Sequence, residues 1–300
     1  MVDFTHLSPE ASALAILPNT ERLARFKMER WIGYTRANQA LAKLEELLID
    51  EPGKLRPQNL LIVGPSNNGK TMIAEKFHRA HPQKMSDDSE HEVIPVLMMQ
   101  MPADATVNRF YTALLMKLNT PVGFHGRYNV REVLTLQLMR TVGVRILIID
   151  ELHNLLGATA NRQRELLNML RFIGNELRIS IVCLGIRDAY LAIRSDDQLE
   201  NRFHPLLLPP WELGDEFARL MASFETVLPL REPSNLSTSP LLEMILSRSE
   251  GTIGEITALL NSATAAALLH GEEHISCTAI ERANYHPPSV RRHMIERELR

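Results

Sequence analysis

At 300 residues, 45% hydrophobic and 23% charged, the chain can hold one large domain or two smaller ones with ample core, and its composition excludes the disordered and fibrous classes. A net charge of −3 excludes a global pull toward nucleic acid, so any polyanion surface must be a local patch or be concentrated by oligomerisation. Cys183 and Cys277 have no C-x-x-C partner, which points to two free thiols in a reducing compartment and no zinc site. With no apolar run of membrane-spanning length and no basic-then-apolar N-terminus, a cytoplasmic location away from membranes is expected.

Residues 1 to about 35 contain Pro9, Pro18 and an amphipathic piece, Thr20 to Met28, with Arg22, Arg25 and Lys27 interleaved. They are read as an N-terminal arm ahead of the core, either a solvated helix packed on the main domain or a partner-docking element. From Arg36 to Ile49, Ala37, Leu41, Leu44, Leu47 and Leu48 recur at helical spacing, and Glu51-Pro52-Gly53 ends that helix. Asn59-Leu60-Leu61-Ile62-Val63 is a short apolar run of buried-strand type. It leads into Gly64-Pro65-Ser66-Asn67-Asn68-Gly69-Lys70-Thr71, and Met72 opens a helix over 70–80. Strand, G-x-x-x-x-G-K-[ST] and helix in that order define a phosphate-binding loop. Gly64 and Gly69 allow the backbone to bend so that successive N–H groups face phosphate oxygens, and the helix N-terminus adds partial positive charge. Lys70 is then placed for the β- and γ-phosphates of ATP, and the Thr71 hydroxyl for Mg²⁺.

Beyond this loop, strands and helices alternate. An acidic loop, Ser86-Asp87-Asp88-Ser89-Glu90, precedes a strand over 93–100 and a helix over 105–118. The Gly-rich loop 121–127 precedes a helix over 130–141, a strand over 145–149, a helix over 161–177 and a strand over 179–185. Such alternation implies a parallel sheet covered on both faces. Ile146-Leu147-Ile148-Ile149 ends in Asp150-Glu151, a Walker B pattern: Asp150 can hold the water shell of Mg²⁺, and Glu151 can orient or deprotonate the attacking water. His153 is read as a polar contact near that site, the weaker alternative being a metal cluster. In Gln198-Leu199-Glu200-Asn201-Arg202-Phe203, Arg202 is either an arginine finger reaching a neighbouring subunit's γ-phosphate or a salt-bridged surface residue. Beyond Trp211 only helices are expected, over 214–228, 240–249, 253–270 and 277–284, with a charged tail at the end. The resulting divisions are 1–35, an arm; 36–212, a nucleotide-binding core; 213–285, a helical lid; and 286–300, the tail.

The ordered motifs 64–71, 146–151, 198–203 and Gly251-Thr252-Ile253-Gly254-Glu255-Ile256 resemble those of the AAA+ ATPases. The phrases Arg30-Trp31-Ile32-Gly33-Tyr34 and Asp150-Glu151-Leu152-His153-Asn154, with 251–256, are similar to the TniB-type transposition ATPases, relatives of the phage Mu B protein. The resemblance spans nearly the whole chain. It implies an α/β P-loop NTPase whose parallel sheet is flanked by helices and followed by a small C-terminal helical lid. It further implies an ATP-loaded homo-oligomer, a ring or filament on double-stranded DNA, that presents target DNA to a DDE transposase, with a further targeting protein as another candidate partner. On that likeness Trp31, Ile32 and Tyr34 lie near the adenine, and Ile253 and Gly254 approach the nucleotide from the lid. Arg109, Lys117 and Arg127, around the loop after the second strand, are either DNA contacts or ordinary solvated positives. Two departures bear on the rate. Gly254-Glu255 stands where many AAA+ proteins carry a sensor arginine, and Ile186 stands near where a polar sensor is expected, so hydrolysis is expected to be slow and stimulated by DNA or a partner. The competing readings are an ATPase that remodels a protein partner without DNA, and a nucleotide-gated scaffold with negligible hydrolysis.

Overall fold

The computed structural model describes residues 4–26, 31–85, 92–120, 128–194 and 197–299. Lys27, Arg30, the acidic loop 86–90 and the Gly-rich loop 121–127, including Arg127, lie outside them. The chain starts with two short helices, α1 (Pro9–Ala15) and α2 (Asn19–Arg25). Ser8 caps α1 by accepting from the Ala11 N–H at 3.2 Å, and Pro9 occupies a first-turn position where no N–H is needed.

The helix α3 (Thr35–Asp50) buries Ala37, Ala40, Leu44, Leu47 and Leu48 along one stripe, as the periodicity requires. It is followed by β1 (Asn59–Val63), α4 (Lys70–Ala80) and an antiparallel ribbon of β2 (Lys84–Met85) and β3 (Glu92–Val93). The strand β4 (Val96–Gln100), helices α5 (Val107–Lys117) and α6 (Tyr128–Thr141), and strand β5 (Ile146–Asp150) come next. A 3₁₀ turn (Leu152–Gly157), α7 (Ala160–Leu177), β6 (Ser180–Gly185), α8 (Arg187–Arg194), α9 (Asp197–Glu200) and β7 (Phe203–Leu207) complete this part. Five strands form one parallel sheet in the order β4-β5-β6-β1-β7. The strands β1, β5 and β6 are buried at every residue, as parallel strands covered on both faces must be.

One strand expectation is corrected and one strand is added. The run 93–100 is not one strand, because Pro95 has no N–H to give a ladder. Its carbonyl accepts from Arg145 and Ile146 at 2.9 and 3.1 Å, and sheet pairing begins at Val96. The added strand is β7: Pro205 interrupts its pattern, which only an edge position tolerates, and β7 is the edge next to β1.

Five further helices follow, α10 (Asp215–Val227), α11 (Leu241–Ser249), α12 (Ile253–Leu269), α13 (Cys277–Arg282) and α14 (Pro288–Glu298). The stretch expected as a charged tail is therefore helical, started by Pro288 in its first turn and burying no residue of its own. The chain divides into two compact units. One comprises Arg36–Ser66 and Lys70–Pro209, with a core built from the sheet and its flanking helices. The other gathers Met1–Thr35, the loop tip Asn67–Gly69 and Pro210–Arg300. Its core holds Phe217, Leu220 and Phe224 of α10 and Leu259, Leu260 and Ala263 of α12, with Leu23, Ile32 and Tyr34 packed against it. The N-terminal segment thus belongs to the helical unit, where Arg22 is fully buried and bonded bidentately to Glu273 at 2.6 and 2.7 Å.

Candidate functional site

In the sheet unit, the phosphate-loop sequence bends where its glycines require. A Cβ on Gly64 would lie 2.5 Å from the Leu208 carbonyl oxygen, so only glycine fits between β1 and the segment after β7. Lys70 opens α4, is 7% exposed, and donates from Nζ to the carbonyls of Gly64 at 2.9 Å and Pro65 at 2.7 Å. Burial pushes its pKa down, against the pull of Asp150 and Glu151. The first-turn N–H groups of α4 have no acceptor within the helix and point out of its N-terminus.

Asp150 closes β5 and is buried, with Oδ2 accepting from the Thr71 hydroxyl at 2.6 Å and Oδ1 from the Glu151 N–H at 2.7 Å. Two motifs 79 positions apart thus meet in one hydroxyl–carboxylate pair. Glu151 has φ +55°, a left-handed backbone uncommon for a non-glycine residue, which turns the chain out of the strand immediately after Asp150. Its Oε2 lies 2.9 Å from His153 Nε2. With Nε2 as the donor, Nδ1 is buried without a partner among the described residues. The polar-contact reading of His153 fits this arrangement. No cluster of three or more His, Cys, Asp or Glu suited to a metal occurs among the described residues. Mg²⁺ needs none: it keeps several waters and takes one or two protein oxygens plus substrate phosphates, and the Thr71–Asp150 pair supplies hard oxygens of that kind.

Arg202 sits elsewhere. Its carbonyl accepts from the Asn59 N–H at 3.0 Å, at the start of β1, whereas the phosphate loop leaves the end of that strand. At about 3.3 Å per residue, the two ends of β1 stand roughly 13–16 Å apart. The Arg202 Nη1 donates to Asn175 Oδ1 at 2.5 Å, and no carboxylate pairs with it among the described residues. Arg109 lies in the first turn of α5 and pairs with Asp104 at 3.2 Å, while Lys117 lies in its last turn. Eight residues of helix separate them by about 12 Å along the axis. Ile186, beyond β6, is half-buried and apolar.

In the helical unit, the loop tip meets the start of α12. The Ile253 N–H donates to Asn68 Oδ1 at 3.3 Å and the Gly254 N–H to the Asn67 carbonyl at 3.0 Å. Thr252, at the N-cap position, makes no side-chain cap bond, so the two asparagines cap the helix in its place. A Cβ on Gly254 would come within 1.9 Å of Asn67 Oδ1, and one on Gly69 (φ +81°) within 3.3 Å of Ile253 Cγ2 and 3.6 Å of the Tyr34 hydroxyl. Tyr34 also packs edge-on against Trp211 at 5.1 Å. Ile32, Tyr34 and Ile253, three of the residues expected around the adenine, therefore line the same core margin; Trp31 is half-buried beside them in sequence. Glu255, at the position where a sensor arginine is common, is buried and fully engaged: Oε1 accepts from Arg291 at 2.6 Å and Asn67 at 3.2 Å, and Oε2 from the Tyr285 hydroxyl at 2.8 Å. Burial, then the bond to Glu255, pushes the Tyr285 pKa up, and the same carboxylate raises that of Arg291. Tyr285 and Arg291 carry no motif and could not have been found from the sequence.

A five-stranded parallel sheet in this order, with a phosphate loop after β1, an Asp-Glu pair after β5 and a following set of helices, is the fold of the AAA+ P-loop ATPases. Solved structures similar to the chain include Aeropyrum pernix ORC1 in complex with DNA (TM-score 0.58, 19% identity, 91% of this chain and 68% of that one). A Walker-type ATPase of Pyrococcus abyssi (0.56, 17%, 91% and 78%) and the Thermotoga maritima RuvB Holliday junction branch migration motor (0.53, 15%, 86% and 72%) are also similar. No curated protein matches the chain. The family profile of the bacterial TniB protein matches residues 22–213, and the chain belongs to that family.

Proposed function

We propose that this chain is an ATP-dependent switch that oligomerises on duplex DNA and delivers it to a DDE transposase. The observation that carries the reading is the Thr71–Asp150 pair at 2.6 Å beside the buried Lys70, in a chain of the TniB family. Residues 64–72 wrap the phosphates with backbone N–H groups, and Lys70 exchanges its two carbonyl partners for β- and γ-phosphate oxygens. Thr71 and Asp150 would hold Mg²⁺, which would supply positive charge against the phosphates. Glu151, oriented by His153, takes the proton of the attacking water. Trp31, Ile32, Tyr34, Ile253 and Gly254 would enclose the adenine. Arg202 stands at the far end of β1 from its own phosphate loop, which supports a role on a second copy's nucleotide.

Slow turnover accords with this site. The half-buried Ile186 offers no polar group, and Glu255 is committed to Asn67, Tyr285 and Arg291. A slow clock suits an assembly whose ATP state must persist on DNA. Aeropyrum pernix ORC1, which shares this fold, is in complex with DNA, and that likeness, with the family, supports DNA as the partner. Arg109, Lys117 and Arg127 are the candidate contacts; few per subunit, they would be multiplied by an oligomer into salt-dependent affinity.

The test is wild-type protein with duplex DNA, Mg²⁺ and either ATP or a non-hydrolysable analogue. Nucleotide-dependent assemblies on DNA by electron microscopy, DNA-stimulated phosphate release and DNA affinity that falls steeply with salt are expected. Stimulation by a protein partner with no response to DNA would favour the remodelling reading, and assembly without any turnover would favour the scaffold.

A further inference from the structure

Arg202 is one of three neighbouring guanidiniums. It bonds Asn175 on the outer face of α7, and one turn earlier on that face Arg171 donates to Gln198 Oε1 of α9 and to Asn168 Oδ1. Arg56 lies in the loop before β1, which is fastened to the end of α7 by the Gly53 N–H on the Arg178 carbonyl at 3.0 Å. Burial, then the charges of Arg56 and Arg171, hold the Arg202 pKa below the usual arginine value.

The carboxylates closest along the chain are turned away. Glu176, beside Asn175, pairs with Arg140, and Glu200, two residues before Arg202, pairs with Arg194 at 3.7 Å. Among the described residues no carboxylate pairs with Arg56, Arg171 or Arg202. Arg171 and Arg202 are instead positioned by neutral amides, which fix a guanidinium without cancelling its charge. Like charges held together this way repel, and an anion bound among them relieves the repulsion. Planar forks with unused donors are suited to phosphate oxygens.

We propose that Arg171 joins Arg202, with Arg56 at the rim, in a composite site for the terminal phosphate of the nucleotide bound by a second copy of this chain. This rests on the reading of Arg202 as a residue acting between subunits. The chain's own phosphate loop is excluded by the length of β1. A protein surface is favoured over a DNA backbone because Phe172, next to Arg171, is 41% exposed and gives the rim an apolar contact.

Arg171→Ala and Arg171→Gln are made and compared with Arg202→Ala, all with duplex DNA present. Because Arg171 is a surface residue of a helix, the fold should survive, and circular dichroism checks it. Both Arg171 variants should bind a fluorescent ATP analogue as wild type does, yet hydrolyse ATP at least tenfold more slowly at saturation. Arg171→Lys, which keeps charge but not the fork, should fall between. Mixed with Lys70→Ala protein, Arg171→Ala should regain turnover above that of either alone, since the phosphate loop of one copy meets the intact arginines of the other. Wild-type turnover in Arg171→Gln would overturn the proposal while leaving Arg202 as the finger, provided the Arg202→Ala mixture regains activity. If neither mixture regains activity, the intersubunit reading fails and the proposal with it. Loss of nucleotide-independent DNA binding in Arg171→Ala, with turnover unchanged, would assign the cluster to the DNA backbone and also overturn it.

Discussion

Lys70 carries a buried positive charge whose hydrogen-bond partners among the described residues are two carbonyl oxygens, at 2.7 and 2.9 Å. A buried cation held by neutral acceptors is poised for an anion, since burial disfavours the charge that phosphate would favour. At ATP a hundredfold above its dissociation constant, wild type should gain about 2.7 kcal/mol of stability. Lys70→Ala should gain little, and equal thermal shifts in the two proteins would contradict the phosphate-loop assignment. Glu151 has a different task and a different signature. Its left-handed backbone and the contact from His153 aim the carboxylate, whereas Asp150 is bonded to the Thr71 hydroxyl. Glu151→Gln keeps shape and removes the base, so ATP should bind normally and hydrolysis should fall about 10²–10⁴-fold. Single-turnover phosphate release measures this, and an unchanged rate would mean that another residue is the base.

At the scale of elements, α2 shows how a charged residue can anchor a helix. Arg22 is fully buried, bidentate on Glu273, and bonded also to the Pro229 carbonyl and Asn19. Removing one partner of a buried pair leaves the other uncompensated, so Arg22→Ala should cost about 3–5 kcal/mol, read as a lower urea midpoint by circular dichroism. The pair also predicts acid sensitivity. Burial tends to raise the Glu273 pKa, but the bonds from Arg22 and Arg231 outweigh it and the net shift is downward. A carboxyl with a depressed folded pKa contributes its full stabilisation above the unfolded value, near 4.5, and loses it as pH falls through the folded value. Wild type should therefore lose stability on acidification below about pH 4.5, and Arg22→Ala should lack most of that dependence. An identical acid profile in both proteins would show that Glu273 does not couple to Arg22.

For the whole molecule, the sheet places the phosphate loop and Arg202 at opposite ends of β1. The phosphate loop and Asp150 lie at the ends of β1 and β5, and Arg202 at the start of β7. Arg202→Ala should leave ATP binding to isolated subunits nearly intact while lowering hydrolysis by about 10³–10⁵-fold if the finger is fully engaged. Mixing it with Lys70→Ala protein should restore part of the activity, with DNA binding of the mixture measured to confirm that the two co-assemble. Co-assembly without any regained turnover, at every mixing ratio, would remove Arg202 from the intersubunit role.

How much of this was legible follows from the range of the interactions. The phosphate loop, the Walker B pair and the alternating elements could be read in the chain because each is encoded in a short window: a backbone bend needs its glycines, and a buried strand needs consecutive apolar residues. The break at Pro95 is also encoded locally, by a residue without an N–H, while β7 is hidden because Pro205 is permitted only once the strand is known to be an edge. The sequence by itself determined the fold class and the family. Only the tertiary structure decided that Asn67 and Asn68 cap a helix some 185 residues away, that Glu255 is occupied by Tyr285 and Arg291, and that Arg171 and Arg202 share a face with no carboxylate paired to either among the described residues. Those arrangements depend on which distant surfaces packing brings together and on which carboxylates are already paired, and neither is written in local composition or spacing.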